Sequence, residues 1–189
     1  MKKKILITRK LLKENEDKLK ELFDVKLNVN DEIYTADKIL ELSKDCDGIL
    51  CAVTDKFNNE LINKLSPSIK IIANYAVGYG NIDVNAAKEK NIVVTNTPEV
   101  LDDSTADVSI LLLLGASRKV LEARRAAERQ DWKWSADFML GKQMSNKRLG
   151  ILGMGRIGRA VAKRARGFNM EIHYHNRSQL SKDLEEGAT

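Results

Sequence analysis

The chain has 189 residues, of which 43% are hydrophobic and 31% charged, and a formal net charge of +5 at pH 7. That balance is ordinary for a soluble globular protein. No apolar run reaches the length of a membrane span, and the apolar stretch of the opening segment, Ile5 to Ile7, is too short for a signal peptide. The expectation is a cytoplasmic protein. Cys46 and Cys51 lack metal-ligand spacing and read as reduced core thiols, not as a disulfide framework. From Lys147 to Arg177 the bases Lys147, Arg148, Arg156, Arg159, Lys163, Arg164, Arg166 and Arg177 face one acid, Glu171. Such a run is either a solvated helix face or a positive environment for a polyanionic cofactor. No aromatic-interleaved basic patch or recognition helix accompanies it, so nucleic acid is not an expected partner.

The first hundred residues alternate short β-branched runs with amphipathic stretches. Strands are predicted at Ile5–Thr8, Val25–Val29, Gly48–Val53, Ile69–Ala73 and Ile92–Thr95, and helices at Leu11–Phe23, Ala36–Leu42, Asn59–Leu65 and Val84–Lys90. A βαβα rhythm implies a parallel sheet with helices on both faces. Asp83 reads as a helix N-cap and Pro98 closes the last strand. The segment from Asp102 to Gln130 opens with acids and hydroxyls, contains no proline and ends in bases, which predicts one long helix. Val108 to Leu114 is apolar nearly all round, so that helix is expected to be buried on more than one side. An irregular stretch follows, carrying Trp132, Trp134, Phe138 and Met139. Bulky apolar side chains without a period usually find a partner surface or pack on their own domain.

At Leu149–Leu152 a short apolar strand runs into Gly153-Met154-Gly155-Arg156-Ile157-Gly158, then a helix from Arg159, then a second strand, Met170–His175. In a strand–GxGxxG–helix unit the first glycine permits a tight turn, the second lets a pyrophosphate reach the backbone, and the third lets helix and strand pack closely. Helix N-terminal N–H groups then bind the phosphates. An NAD site usually carries a carboxylate about twenty residues further on. Here that place is held by Asn176, followed by Arg177 and Ser178. A guanidinium and a hydroxyl suit a 2′-phosphate, so NADP(H) is the expected cofactor, with NAD(H) as the alternative.

The stretch from Asn74 to Arg118, joined to that from Leu149 to Met170, resembles the D-isomer-specific 2-hydroxyacid dehydrogenases, nearest the glyoxylate and hydroxypyruvate reductases. The resemblance runs over essentially the whole chain. It implies an α/β fold: a flavodoxin-like parallel-sheet substrate domain over 1–98, a linker helix and dimerisation arm over 99–146, and the first βαβ of a Rossmann NAD(P)-binding domain over 147–189. It implies that backbone N–H groups at Val77 and Gly78 hold the carboxylate of a small 2-oxo or 2-hydroxy acid, and that Leu101 lines the substrate pocket. It further assigns Thr105 as a cofactor contact, Arg156 and Ile157 to the pyrophosphate turn, and Asn176, Arg177 and Ser178 to the adenosine phosphate. Trp132 and Trp134 fall on the 118–146 arm, which the resemblance makes the interface of a homodimer.

Reduction of a 2-oxo acid also needs a cation to polarise the carbonyl and an acid to protonate the alkoxide. The family uses an Arg, a Glu and a His, and the resemblance places all three beyond the second Rossmann strand. The two histidines here, His173 and His175, lie on that strand at the adenosine end. Neither suits the acid, and with no third ligand the pair does not read as a metal site. The sequence therefore reads as the amino-terminal part of a longer enzyme, with no catalytic residue of its own. It is expected to bind NADPH weakly or not at all. Two other readings stand beside it: a dehydrogenase of the same family for another acid such as phosphoglycerate, and a non-catalytic dinucleotide-binding or dimerisation module.

Overall fold

A computed structural model describes residues 1–130 and 132–189; Asp131, part of the expected arm, lies outside the described residues. The chain forms two compact units, Met1–Val100 and Leu101–Thr189.

The first unit runs β1 (Lys4–Ile7), α1 (Lys13–Leu22), β2 (Asp24–Lys26), α2 (Ala36–Ser43), β3 (Gly48–Ala52), α3 (Asn59–Lys64), β4 (Ile71–Tyr75), α4 (Val84–Glu89) and β5 (Val93–Thr95). All pairs are parallel and the sheet order is β2-β1-β3-β4-β5. This is the flavodoxin-like order, whose chain reversal falls between β1 and β3. Side chains alternate across each strand, so Leu6, Ile49, Cys51 and Ile72 share one core with Ile39 of α2, Leu61 and Ile62 of α3, and Ala86 and Ala87 of α4. Thr35, Asn58 and Asp83 cap these three helices, accepting the N–H groups of Lys38, Leu61 and Ala86 at 3.3, 2.9 and 3.0 Å. Each cap is worth about 1 kcal/mol.

The expectation of helices closing both faces holds on one face only. Helix α1 has no buried residue. Between it and the sheet lies an apolar groove of about 280 Å³ lined by Leu11, Leu19, Leu22, Leu50 and Tyr75. Seven of the ten α1 residues are charged (Lys13, Glu14, Glu16, Asp17, Lys18, Lys20 and Glu21), and its two leucines, Leu19 and Leu22, line this groove. Strand β4 also starts and ends two residues later than its apolar run predicts. Ile69 is buried ahead of it, and the Lys70 N–H donates to the Asp47 carbonyl at 2.8 Å.

The second unit contains α5 (Asp102–Ser117), α6 (Val120–Arg129), β6 (Arg148–Leu152), α7 (Arg156–Arg166), β7 (Glu171–His175) and the single turn α8 (Lys182–Glu185). Strands β6 and β7 pair in parallel, Arg148 with Glu171 through Leu152 with His175. Ile110, Leu113 and Leu114 of α5 pack with Met154, Ala162, Ala165 and Ile172 in this unit's core.

Two expectations fail here. The long helix is broken, because Lys119 takes a left-handed conformation (φ 52°) between α5 and α6. The freed Ser117 carbonyl accepts the Lys142 N–H at 2.7 Å. Gly141 comes so close that a Cβ there would stand 2.5 Å from the same oxygen. The irregular segment thus folds back over the helix end, a contact that no local pattern signals. Nor is α5 buried on more than one side. One stripe meets α7, while Val108, Leu111 and Leu112 are exposed at 53, 66 and 66%.

Salt links gather at the amino-terminal edge of the five-stranded sheet. The Asp45 carboxylate accepts from Lys26 and, at 2.9 Å, from Lys4. The Lys26 hydrogen bond, reinforced by Lys4, holds the Asp45 carboxyl well below the usual carboxylate range. A carboxyl depressed in the folded state adds stability above its unfolded pKa, and that stability fades as pH falls through the folded value. An Asp45→Asn variant is therefore expected to unfold at lower urea than wild type by a constant margin above about pH 5, with the margin closing at lower pH.

Candidate functional site

The turn after β6 assigns a different duty to each glycine. Gly153 adopts φ +98°, where L side chains are strained. A Cβ on Gly158 would lie 2.3 Å from the Gly153 carbonyl oxygen, so α7 packs against the turn only because that position has no side chain. Gly155 is the helix N-cap, and a Cβ placed on it would meet nothing within 4 Å. The first helical hydrogen bond runs from the Arg159 N–H to the Gly155 carbonyl at 2.9 Å. The N–H groups of Ile157 and Gly158 precede that ladder, at the positive end of the helix dipole.

Strand β7 ends beside this turn. The Gly153 N–H donates to the His175 carbonyl at 2.9 Å, and the Met154 N–H donates to Asn176 Oδ1 at 2.6 Å. Asn176 is thus a strut between the two strand ends, a role that its expected place at the adenosine phosphate did not reveal. Leu152, Gly153, Met154, Gly155, His175, Asn176, Arg177, Ser178 and Leu180 enclose an open cavity of about 600 Å³. Arg177 and Ser178 are exposed at its rim.

The basic run is less positive than its count suggests. Arg164 bonds Asp107 at 2.6 Å and Asp103 at 3.1 Å, Arg156 meets Asp102 at 3.2 Å, and Arg166 meets Glu186 at 2.9 Å. Three of these four acids lie on the first two turns of α5, so the carboxylates read as a helix start also tie α5 to α7. Thr105, half-buried, lies on the same first turns, and Leu101 is the α5 N-cap residue, 36% exposed. Arg177 has no carboxylate partner among the described residues. Of the sequence-derived site residues, Val77 and Gly78 belong to the first unit and the rest to the second.

In the first unit, β4 runs into the loop Ala76–Asn81. Four consecutive carbonyls there point into the protein. That of Ala76 accepts the Thr97 N–H (2.9 Å), that of Val77 the Asn96 side chain (2.7 Å), that of Gly78 the Asn74 side chain (2.9 Å), and that of Tyr79 the Ile82 N–H (3.0 Å). The N–H groups of Val77, Gly78, Tyr79 and Gly80 have no partner among the described residues. Nothing lies within 4 Å of a Cβ built on Gly78 or Gly80. A run of unpaired, outward N–H groups over open space is the arrangement that binds an anion. Asn74, Asn81 and Asn96, which shape this loop, were missed by sequence reasoning. Asparagine near a turn carries no signal that it reaches a neighbouring strand end.

The chain belongs to the D-isomer specific 2-hydroxyacid dehydrogenases, whose catalytic domain it matches over residues 5–186. It is 41% identical over 189 residues to a glyoxylate reductase of Korarchaeum cryptofilum, spanning 97% of this chain and 57% of that protein. Among solved structures it is similar to a glyoxylate reductase from Paecilomyes thermophila (36% identity, TM-score 0.83, 99% of this chain and 59% of the other). It is also similar to the NADPH-dependent glyoxylate/hydroxypyruvate reductase of Sinorhizobium meliloti (30% identity, TM-score 0.79, 95% and 56%). The chain therefore spans a little over half the length of the relatives it matches.

An alanine at Gly158 must displace the Gly153 carbonyl or the helix. Gly158→Ala is expected to cost about 1–3 kcal/mol, read as an earlier urea transition of the second unit's tryptophan fluorescence. Gly155→Ala, with open space around it, is expected to leave that transition in place.

Proposed function

We propose that this chain carries the substrate-carboxylate loop and the adenosine–pyrophosphate half of the cofactor site of an NADP(H)-dependent 2-hydroxyacid dehydrogenase, of the glyoxylate/hydroxypyruvate reductase type. The observation that supports this most directly is the cavity that joins the glycine turn to Arg177. The open face of Gly155 and the N–H groups that open α7 suit a pyrophosphate. Arg177, exposed at the rim without a carboxylate partner, suits a 2′-phosphate, and Ser178 adds a hydroxyl. Thr105, Arg156 and Ile157 complete the cofactor contacts in this reading. The nicotinamide, when bound, supplies the hydride. In the first unit the Val77 and Gly78 N–H groups take the carboxylate of a small 2-oxo acid.

The exposed aromatics of the arm favour a homodimer. Trp132 stacks on Phe138 with ring centroids 5.7 Å apart, while Trp134 is 82% and Leu140 61% exposed. Two free, buried cysteines suit a cytoplasmic setting.

Titration with 2′,5′-ADP and with 5′-ADP, followed by tryptophan fluorescence, tests the cofactor reading. The 2′-phosphorylated form is expected to bind about tenfold more tightly at low salt, in the weak range expected for NADPH itself. Arg177→Ala should bring the two affinities together. Equal affinities in wild type would rule out the 2′-phosphate role and leave NAD(H) as the cofactor. His173 and His175 sit on β7, and His175 lines the cavity proposed for the adenosine end of the cofactor. Purified 1–189 is accordingly expected to leave NADPH unoxidised in the presence of glyoxylate.

A further inference from the structure

The first unit places a connected set of side-chain amides beneath the Ala76–Asn81 loop. Asn74 is 2% exposed, and its Nδ2 donates both to the Gly78 carbonyl (2.9 Å) and to Asn81 Oδ1 (3.0 Å). Asn81 Nδ2 in turn donates to the carbonyls of Asp55 (3.0 Å) and Ala52 (3.2 Å) at the end of β3. The Cys51 thiol donates to Asn74 Oδ1 at 3.5 Å, and burial pushes that thiol up to about 12, so it remains a donor throughout the neutral range. Asp55 closes the set against β1: its Oδ2 accepts the Thr8 hydroxyl at 2.6 Å and the Ala52 N–H at 2.9 Å. On the other side of the loop Asn96, after β5, donates to the Val77 carbonyl.

A peptide group is planar, so fixing the direction of its carbonyl fixes the opposite direction for the N–H of the next residue. The Asn96 bond to the Val77 carbonyl therefore aims the Gly78 N–H, and the Asn74 bond to the Gly78 carbonyl aims the Tyr79 N–H. Neither carbonyl has a backbone partner among the described residues that could do the same work. Without these side chains the two peptide units could rotate, and glycine at 78 would offer little resistance.

We infer that Asn74 and Asn96 are positioning residues. Their side-chain amides hold the Val77 and Gly78 carbonyls against the sheet edge and so present the loop's N–H groups outward as a ready-made receptor for one carboxylate. This rests on the reading of the loop as the substrate-carboxylate site. Neither asparagine touches the substrate in this account. Pre-orientation of the donors spares the ligand the cost of ordering them.

Asn96 is the side chain to change, since Asn74 is buried and its loss would disturb the core. The protein, labelled with 15N, is studied as wild type, Asn96→Leu (similar volume, no donor) and Asn96→Gln (donor retained). Backbone order parameters and glycolate titrations are followed at the amides of residues 77–80. In wild type and Asn96→Gln the Gly78 amide is expected to be rigid, with an order parameter of about 0.85, falling to about 0.6 or below in Asn96→Leu. The resonances of Ile49 and Ile72 should stay in place in all three. The dissociation constant for glycolate is expected to rise about fivefold or more in Asn96→Leu and to stay within about twofold in Asn96→Gln. Equal order parameters in all three proteins, or an unchanged glycolate affinity in Asn96→Leu, would overturn the positioning role. If the order parameters follow the expected pattern while glycolate shifts no loop amide even in wild type, positioning stands and the carboxylate reading fails.

Discussion

Parallel strands deliver their carboxyl ends to one edge of a sheet, and the peptide groups of the loops that leave there must still find partners. In both units that constraint is met by an asparagine at a strand end reaching to a neighbouring loop. Asn74 and Asn96 take carbonyls of the loop after β4, and Asn176 takes an N–H of the turn after β6. The choice of residue follows from chemistry, because a carboxamide both donates and accepts without adding charge. An aspartate could hold an N–H but not a carbonyl, and it would repel an anion arriving at the same loop. With their inward groups satisfied this way, the loops keep their remaining N–H groups for the outside.

The parts of this arrangement that could be read from the sequence are those that a local pattern dictates. The glycine turn was legible because its three glycines answer to separate needs: a left-handed backbone at Gly153, an open face at Gly155, a close helix contact at Gly158. Strand and helix order in the first unit was legible from alternation and from the caps, Asp83 among them. Their ends moved by one to three residues, as at β4, where pairing with β3 and not the apolar run decides which residues join the ladder.

What escaped the sequence depends on contacts between distant segments. The break at Lys119 is compatible with a helix by composition and becomes necessary only when Gly141 and Lys142 fold onto Ser117. The acids at 102, 103 and 107 were read as a favourable helix start, yet two of them are also bound to Arg164 and the other to Arg156, at least fifty residues away. That pairing thins the positive run which composition alone suggested. The asparagine set under the 76–81 loop was invisible for the same reason, since its members come from β4, the loop itself and the segment after β5.

The adjacency of Asn176 and Arg177 has a consequence for how such a protein can change over time. The first residue braces two strands; the second stands at a cavity rim and braces nothing among the described residues. On the proposed cofactor reading, selection acting on the nucleotide can therefore rewrite one codon without disturbing its neighbour's architectural work. Ligand preference becomes a trait that drifts on a rigid scaffold, separable from the capacity to fold.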